Sequence, residues 1–248
     1  TVYLFFITYS NVEGCFLYIS KLSFSILKVK FTMKDIITID GPSGAGKSTV
    51  SRLLAKRLGY KYLDTGALYR AVAWKIKKEN ADIDDEKSLC NTLEKINITL
   101  DGDGIMVDGT DVTSEIRSPE IGELSSKASA KPAVRERLFT IQREFGLKGK
   151  IVIEGRDTGT VIFPEAENKF YLDASPEERG MRRFKELKEK NSDIKLETTI
   201  DDIKKRDSRD STRQASPLKR TQDMIYIDTT SLTLEEVVTK IMESLKTP

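Results

Sequence analysis

From Met33 onward, short runs of β-branched and aliphatic residues alternate with stretches whose apolar positions recur at helical spacing, the pattern of a parallel sheet covered by helices. The apolar runs predict strands over 35–40, 61–64, 150–154, 169–173 and 224–228. Helical spacing and end signals predict helices over 47–58, stopped by Gly59, over 67–78, over 132–145, stopped by Gly146, and over 176–190 behind Ser175 as cap. A last helix is expected over 234–245, with Thr233 as cap and Glu236 at the capping-box position. The stretch 98–112 breaks the rhythm, alternating apolar and polar residues around glycine-containing turns, which predicts a short antiparallel meander. Lying between elements of a parallel sheet, it is expected to form a small appended unit rather than to join the main sheet.

Residues 1–32 follow no such pattern: they are rich in Phe, Tyr, Leu and Ile, and their periodicity is poor. Glu13, Lys21, Lys28 and Lys30 break the apolar run below the length that spans a membrane, and no cleavage signal is evident. The segment is therefore expected to be a non-native or upstream extension, with the working domain over 33–248.

Composition narrows the chemistry. The 248 residues carry 41 Lys and Arg against 39 Asp and Glu, a formal charge of +2, which argues against a dedicated nucleic-acid binder. Interleaved acids argue the same for the basic segment 179–220. The two cysteines, Cys15 and Cys90, have no metal-ligand spacing and do not suggest a disulfide framework, so a cytoplasmic setting is expected. There is no histidine, which removes Ser-His-Asp hydrolysis, Cys-His proteolysis and His-ligated metals. Phosphoryl transfer survives, because it runs on Lys, Arg, Asp and magnesium. Neither a nucleic-acid nor a membrane partner is expected, and the working unit is expected to be a monomer.

The octapeptide Gly41-Pro42-Ser43-Gly44-Ala45-Gly46-Lys47-Ser48 follows the first predicted strand and opens the first predicted helix. It fits the phosphate-binding loop G-x-x-x-x-G-K-[ST] in its required setting. Glycines let the backbone turn tightly, successive N–H groups form an anion nest, and the helix N-terminus adds its positive end. Lys47 then neutralises the β- and γ-phosphates of ATP, Ser48 offers a hydroxyl to the Mg2+ that ATP carries, and Thr49 reaches the α-phosphate. An ordinary glycine turn capping a helix is the plainer alternative, which the strand–loop–helix order disfavours.

Three further clusters sit where ligands gather, at strand ends of an open α/β sheet. In Asp64-Thr65-Gly66-Ala67-Leu68-Tyr69-Arg70, Thr65 offers a hydroxyl and Arg70 a bidentate fork for a second phosphate, although Asp64 or Thr65 also suits a simple helix cap. In Glu154-Gly155-Arg156-Asp157-Thr158-Gly159-Thr160, Arg156 can meet phosphate while Asp157 accepts from an amine or hydroxyl, and a loop salt bridge is the alternative. In Arg206–Arg213, positions at i, i+3, i+4 and i+7 put Arg206, Arg209, Asp210 and Arg213 on one helical face. Such runs are usually solvated, yet several arginines around one acid also suit a site holding two phosphates and a ribose.

Taken in order, these motifs together with Ile227-Asp228-Thr229-Thr230 resemble the bacterial cytidylate kinases, from about Met33 to the C-terminus. The resemblance implies a nucleoside monophosphate kinase: a P-loop α/β sheet covered by helices, an antiparallel β insert over about 90–125 on the monophosphate side, and a helical lid over about 177–197. It implies transfer of the γ-phosphoryl group of Mg-ATP to CMP or dCMP. It maps the cytosine-reading roles onto Thr65, Ser126, Arg135 and Asp157, the acceptor-phosphate roles onto Arg70, Arg156 and Arg213, and sugar and phosphate contacts onto Arg206 and Asp210. Lys47, Arg156, Arg206 and Arg213 are the expected catalytic group, and Arg179 and Arg183 can reach the transferring group or can be solvated. Two departures stand out: Thr65 replaces the Ser of some relatives, and Thr158 follows Arg156-Asp157 where an apolar residue is commoner. Thr158 is expected to soften packing without touching the chemistry. Two rivals remain, a small-molecule kinase on the same scaffold using UMP or a non-nucleotide acceptor, and a regulatory GTPase. The GTPase would carry Asn-Lys-x-Asp, whereas Asn168-Lys169 is followed by Phe170-Tyr171.

Overall fold

The computed structural model describes residues 33–101, 104–188 and 194–246. Residues 1–32, and with them the expected extension, lie outside the described residues. In chain order the elements are β1 (Ile36–Asp40), α1 (Lys47–Leu58), β2 (Lys61–Asp64), α2 (Thr65–Lys78), α3 (Glu86–Lys95), β3 (Ile98–Asp101), β4 (Gly104–Val107), β5 (Thr110–Asp111) and α4 (Pro119–Ala128). Then follow α5 (Pro132–Gly146), β6 (Ile151–Gly155), a π-helical turn (Thr158–Ile162), β7 (Asn168–Asp173), α6 (Pro176–Lys188), α7 (Leu196–Thr212), β8 (Ile225–Asp228) and α8 (Leu234–Ser244).

The main sheet is parallel throughout, in the order β2-β6-β1-β7-β8. Because both its faces are covered, its central strands read as continuous apolar runs, and every residue of β1 and β6 is buried. The two-residue alternation still sorts side chains by face. Ile36, Leu63, Ile151 and Ile153 join the core under α2, α4 and α5, while Ile37, Ile39, Val152, Phe170 and Leu172 join the core under α1 and α8. The meander β3-β4-β5 forms a separate antiparallel sheet, as its alternation predicts.

Local end signals are realised where they were strongest. Gly59 closes α1 in the left-handed conformation, and Thr233 with Glu236 forms a reciprocal capping box on α8. Asp64 caps α2 by accepting from the Ala67 N–H, so this helix starts two residues earlier than expected. Gly146 does not stop α5 by turning left-handed. It lies inside the helix, where an added Cβ would come 2.1 Å from the Phe163 ring, so it is small for packing. The expected lid stretch covers most of α6, the start of α7 and residues 189–193, which lie outside the described residues. No helix among the described residues is long and apolar enough to cross a membrane.

Candidate active site

β1 is the middle strand, and the chain leaves its C-terminal end at Gly41 to form the loop that opens α1. A Cβ at Gly41 would come 1.9 Å from the Leu172 carbonyl oxygen on neighbouring β7, so only glycine lets the loop start this close to the sheet. Gly44 and Gly46 adopt φ of 79° and 84°, which turns the N–H groups inward ahead of the helix. Lys47 folds back under the loop and donates from Nζ to the Pro42 carbonyl at 2.7 Å. Burial, then repulsion from Arg156, pulls the Lys47 amine down to about 7 despite attraction from Glu154.

Beyond the loop, the strand ends open onto a cavity of about 560 Å³, within the size range of small-ligand sites. Eight cationic side chains line it against five acidic ones, an excess of three positive charges that suits phosphorylated ligands. Of the predicted residues, Ser43, Gly44, Gly46, Lys47, Ser48, Thr49, Thr65, Arg70, Ser126, Arg156, Asp157, Arg206, Asp210 and Arg213 line this one space. Gly41, Pro42 and Ala45 are buried behind it.

Arg135 does not line the cavity. It lies behind Asp157 in a buried ion pair, Arg135 Nη2 with Asp157 Oδ2, while its Nη1 donates to the Ser129 carbonyl at 3.0 Å. Arg213 approaches the other oxygen of Asp157 at 3.7 Å. Asp157 is thus presented between two guanidinium groups, with the Tyr69 ring under Arg135. The Ser126 hydroxyl and Arg206 Nε are buried without a hydrogen-bond partner, and so is Arg213 Nη2, whose approach to Asp157 at 3.7 Å is too long for one. Buried polar atoms are normally satisfied, so these cavity-side orphans mark where a polar ligand completes the structure.

The charged run 206–213 is corrected in two respects. Arg209 is exposed and does not line the cavity, and Arg213 is the residue that ends α7, with extended backbone. Asp210 is buried and accepts from Arg156 Nε at 2.9 Å. Burial alone would raise its carboxyl, but Arg156, Arg206 and Arg213 together hold it below the usual range. Burial and then Arg156 drive Arg206 down to about 10, and burial lowers Arg70 with help from Arg117 and Arg183.

Arg179 is neither solvated nor available to a ligand. Its guanidinium pairs with Asp207 and donates to the Ser43 and Ala174 carbonyls, at 3.0 and 2.9 Å. Asp207 also accepts from the Ser43 N–H at 3.3 Å, so α6 and α7 are both tied to the tip of the phosphate loop. The cavity receives Arg183, one of the two outcomes left open for it, together with Arg182, whose guanidinium also donates to Thr229. The expectation for Thr158 is overturned as well. Its N–H and its hydroxyl both donate to buried Asp40, at 2.9 and 2.8 Å, so it binds strand β1 instead of loosening the packing.

Glu154 is the functional candidate that motif spacing does not flag. It is the last residue but one of β6, beside Ile39 of β1 and Asp64 of β2, and its buried carboxyl accepts from the Ser48 hydroxyl and from Tyr62. Burial, then Asp64, raises it above the usual carboxyl range, although Lys47 opposes the shift. Its signal in the sequence is an acid closing an apolar strand. What that signal lacks is the strand order that sets Glu154 next to the phosphate loop. A Mg2+ ion would fit here, since a hard cation takes the Ser48 hydroxyl and an adjacent carboxylate while phosphates and waters supply the rest. Among the described residues no group of three or more acids, Cys or His could hold a metal alone. Tyr69 and Arg117 also line the cavity; Tyr69 lies within the 64–70 cluster without a role read from it, and Arg117 stands in no pattern that local sequence could flag.

Comparison with known proteins bears on these observations. A family model described as cytidylate kinase matches residues 37–247. A cytidylate kinase from Caldanaerobacter subterraneus subsp. tengcongensis is 48% identical over 218 residues, covering 88% of this chain and 96% of that protein. One from a Geobacter species is 47% identical over 215 residues, covering 85% and 92%. One from Carboxydothermus hydrogenoformans is 47% identical over 211 residues, covering 84% and 95%.

Proposed function

The chain belongs to the cytidylate kinase family, and we propose that it transfers the γ-phosphoryl group of ATP to CMP or dCMP, giving ADP and CDP or dCDP. One observation carries this reading: a single cationic cavity is lined both by a phosphate loop and by Asp157, which Arg135 backs. Asp157 offers a carboxylate to the cytosine amine, an acceptor that UMP has no amine to meet. Arg135 acts through Asp157, holding its orientation, while Thr65 and Ser126 supply hydroxyls near the base.

The acceptor phosphate already carries its nucleophilic oxygen, so no protein nucleophile is required. The work left to the protein is alignment and neutralisation of charge. Lys47 and the loop N–H groups hold the β- and γ-phosphates. Arg70, Arg156 and Arg213 hold the acceptor phosphate, with Arg206 beside Arg156 where the two phosphates must meet. These cations spread over oxygens whose charge grows in the transition state. Ser48 and Glu154 would hold Mg2+, which supplies further neutralisation of the β- and γ-phosphates when it arrives with ATP. Asp210 keeps Arg156 aimed and lies near the sugar. Arg182 and Arg183 extend from α6 over the cavity and help keep water from the γ-phosphate.

The reading also takes the protein to be a monomer working in the cytoplasm. Its test is ADP formation from Mg-ATP with CMP, dCMP, UMP and AMP offered separately, for the chain begun at Met33 and for Asp157→Ala. Strong CMP and dCMP turnover, weak UMP turnover and a large loss in the variant are expected. ATP binding without turnover of any nucleotide would overturn the assignment.

A further inference from the structure

Asp40 ends β1 directly before the phosphate loop, does not line the cavity and takes no part in the transfer described above. It is fully buried in a strand whose neighbours are Ile36, Ile37 and Ile39, where an apolar side chain would be the ordinary choice. Its carboxylate instead accepts three hydrogen bonds from one turn. Oδ1 accepts from the Thr158 N–H at 2.9 Å and the Thr158 hydroxyl at 2.8 Å, and Oδ2 accepts from the Gly159 N–H at 2.8 Å.

Those donors begin the π-helical turn that follows Asp157. The turn's own bonds run from Val161 and Ile162 to the Asp157 carbonyl, and from Phe163 to the Thr158 carbonyl. The first N–H groups of any helical turn lack internal partners, and here a carboxylate from a strand 118 residues earlier supplies them. The fit is tight: a Cβ on Gly155 would come 2.6 Å from the Thr158 methyl and 3.6 Å from Asp40 Oδ1. Single π-helical turns are rare and concentrate at functional sites, and this one leaves Asp157 in an irregular backbone state, φ −146° and ψ 20°.

We propose that Asp40 is a positioning residue for the acceptor base: by tying the turn to the strand that carries the phosphate loop, it sets where Asp157 stands relative to Lys47. The inference rests on the (d)CMP reading above. A single carboxylate thereby couples the phosphate loop and Asp157 in distance and angle, which transfer between two bound phosphates demands. Burial pushes Asp40 up to about 6, against the opposing pull of its donors, so at pH 7.5 it is the ionised, acceptor-only form that three donors require.

The test compares wild type, Asp40→Asn, Thr158→Val and Thr158→Ser at pH 7.5, with KM and kcat for ATP, CMP and UMP and a melting curve for each. Asparagine keeps the shape but turns an NH2 group towards the Gly159 N–H. A charged hydrogen bond lost at this point raises KM for CMP by about ten-fold or more and lowers the preference for CMP over UMP by a similar factor. KM for ATP moves far less, within about two-fold of wild type, since the loop's hydrogen bonds are untouched and Asp40 is the weakest of the charges acting on Lys47. Thr158→Val moves the same quantities less, and Thr158→Ser restores them. A parallel rise in both KM values with unchanged base preference would reduce Asp40 to general structural support and overturn the proposal, as would unchanged kinetics. If Asp40→Asn does not fold, the Thr158→Val and Thr158→Ser pair decides by the same criteria. Wild type without CMP turnover would sink the parent reading, whereas active wild type with unshifted variants would sink this inference alone.

Discussion

Arg206→Met should make the protein more stable and less active at once. Arg206 stands on α7 among Arg156, Arg70 and Arg183, with Asp210 as the favourable charge, and its Nε is buried without a partner. Burial and these repulsions lower it from 12.5 to about 10. At about 1.36 kcal/mol per unit, that shift corresponds to roughly 3 kcal/mol. The sign follows from the group being a base with a depressed pKa in the folded state: the protonated form is the costly one. Below about 10 the folded protein therefore bears the cost in full, and it does so at neutral pH. Water in the open cavity screens part of the repulsion, leaving about 1–3 kcal/mol. Methionine keeps an unbranched apolar stem and removes the charge, so calorimetry without nucleotide should show melting raised by roughly 3–10 °C. The same variant should lose about a hundred-fold or more in kcat/KM for CMP, because a cation aimed at transition-state charge is gone. Melting at or below that of the parent would refute the idea of a strained cationic cluster, and CMP turnover within about three-fold of the parent would remove Arg206 from the reacting centre.

Other outcomes follow from single contacts. With Lys47 at about 7, ATP binding should take up roughly 0.9 proton at pH 8 and roughly 0.1 at pH 6 as the phosphates restore its charge. Titration calorimetry in buffers of different ionisation enthalpy reads this, and no uptake at pH 8 would contradict it. Gly155→Ala drives a Cβ to 2.6 Å from both the Thr158 methyl and the Thr65 hydroxyl, so the urea midpoint should fall by the equivalent of about 1–3 kcal/mol. An unchanged midpoint would mean the site yields more easily than its packing implies. Asp207→Ala strands the buried Arg179 guanidinium and frees the Ser43 N–H. Stability should drop by about 2–3 kcal/mol, less than for a fully dry pair because Asp207 is partly exposed, and hydrogen exchange at Ser43 should accelerate.

Local patterns make much of the fold legible. Five apolar runs become the five parallel strands, each within a residue or so of its expected ends, because a strand buried on both faces has little choice of composition. The capping box at Thr233, the αL glycine at Gly59 and the meander are likewise written in neighbouring residues. Two helices escape such reading entirely, and α7 is anticipated only in its charged second half, 206–213. α3 begins at the Asp85 cap and α4 at Ser118-Pro119, but each is only ten residues long with few large apolar side chains, so little marks them out along the chain.

Motif by motif, most of the residues that meet in the cavity can be picked out along the chain, because a phosphate loop and arginines at strand ends carry their chemistry in residue type and spacing. Their orientation cannot. Arg135 stands behind Asp157, Arg179 is diverted to Asp207 and Ser43, Arg209 faces solvent, and Glu154 enters only through the strand order β2-β6-β1. The link from Asp40 to Thr158 spans 118 residues and is invisible to any local window. Backbone preferences act over a few residues and so can be read along the chain. Which charge faces which depends on how distant elements pack and on what burial then does to each ionised group, and that is decided only when the sheet closes around β1.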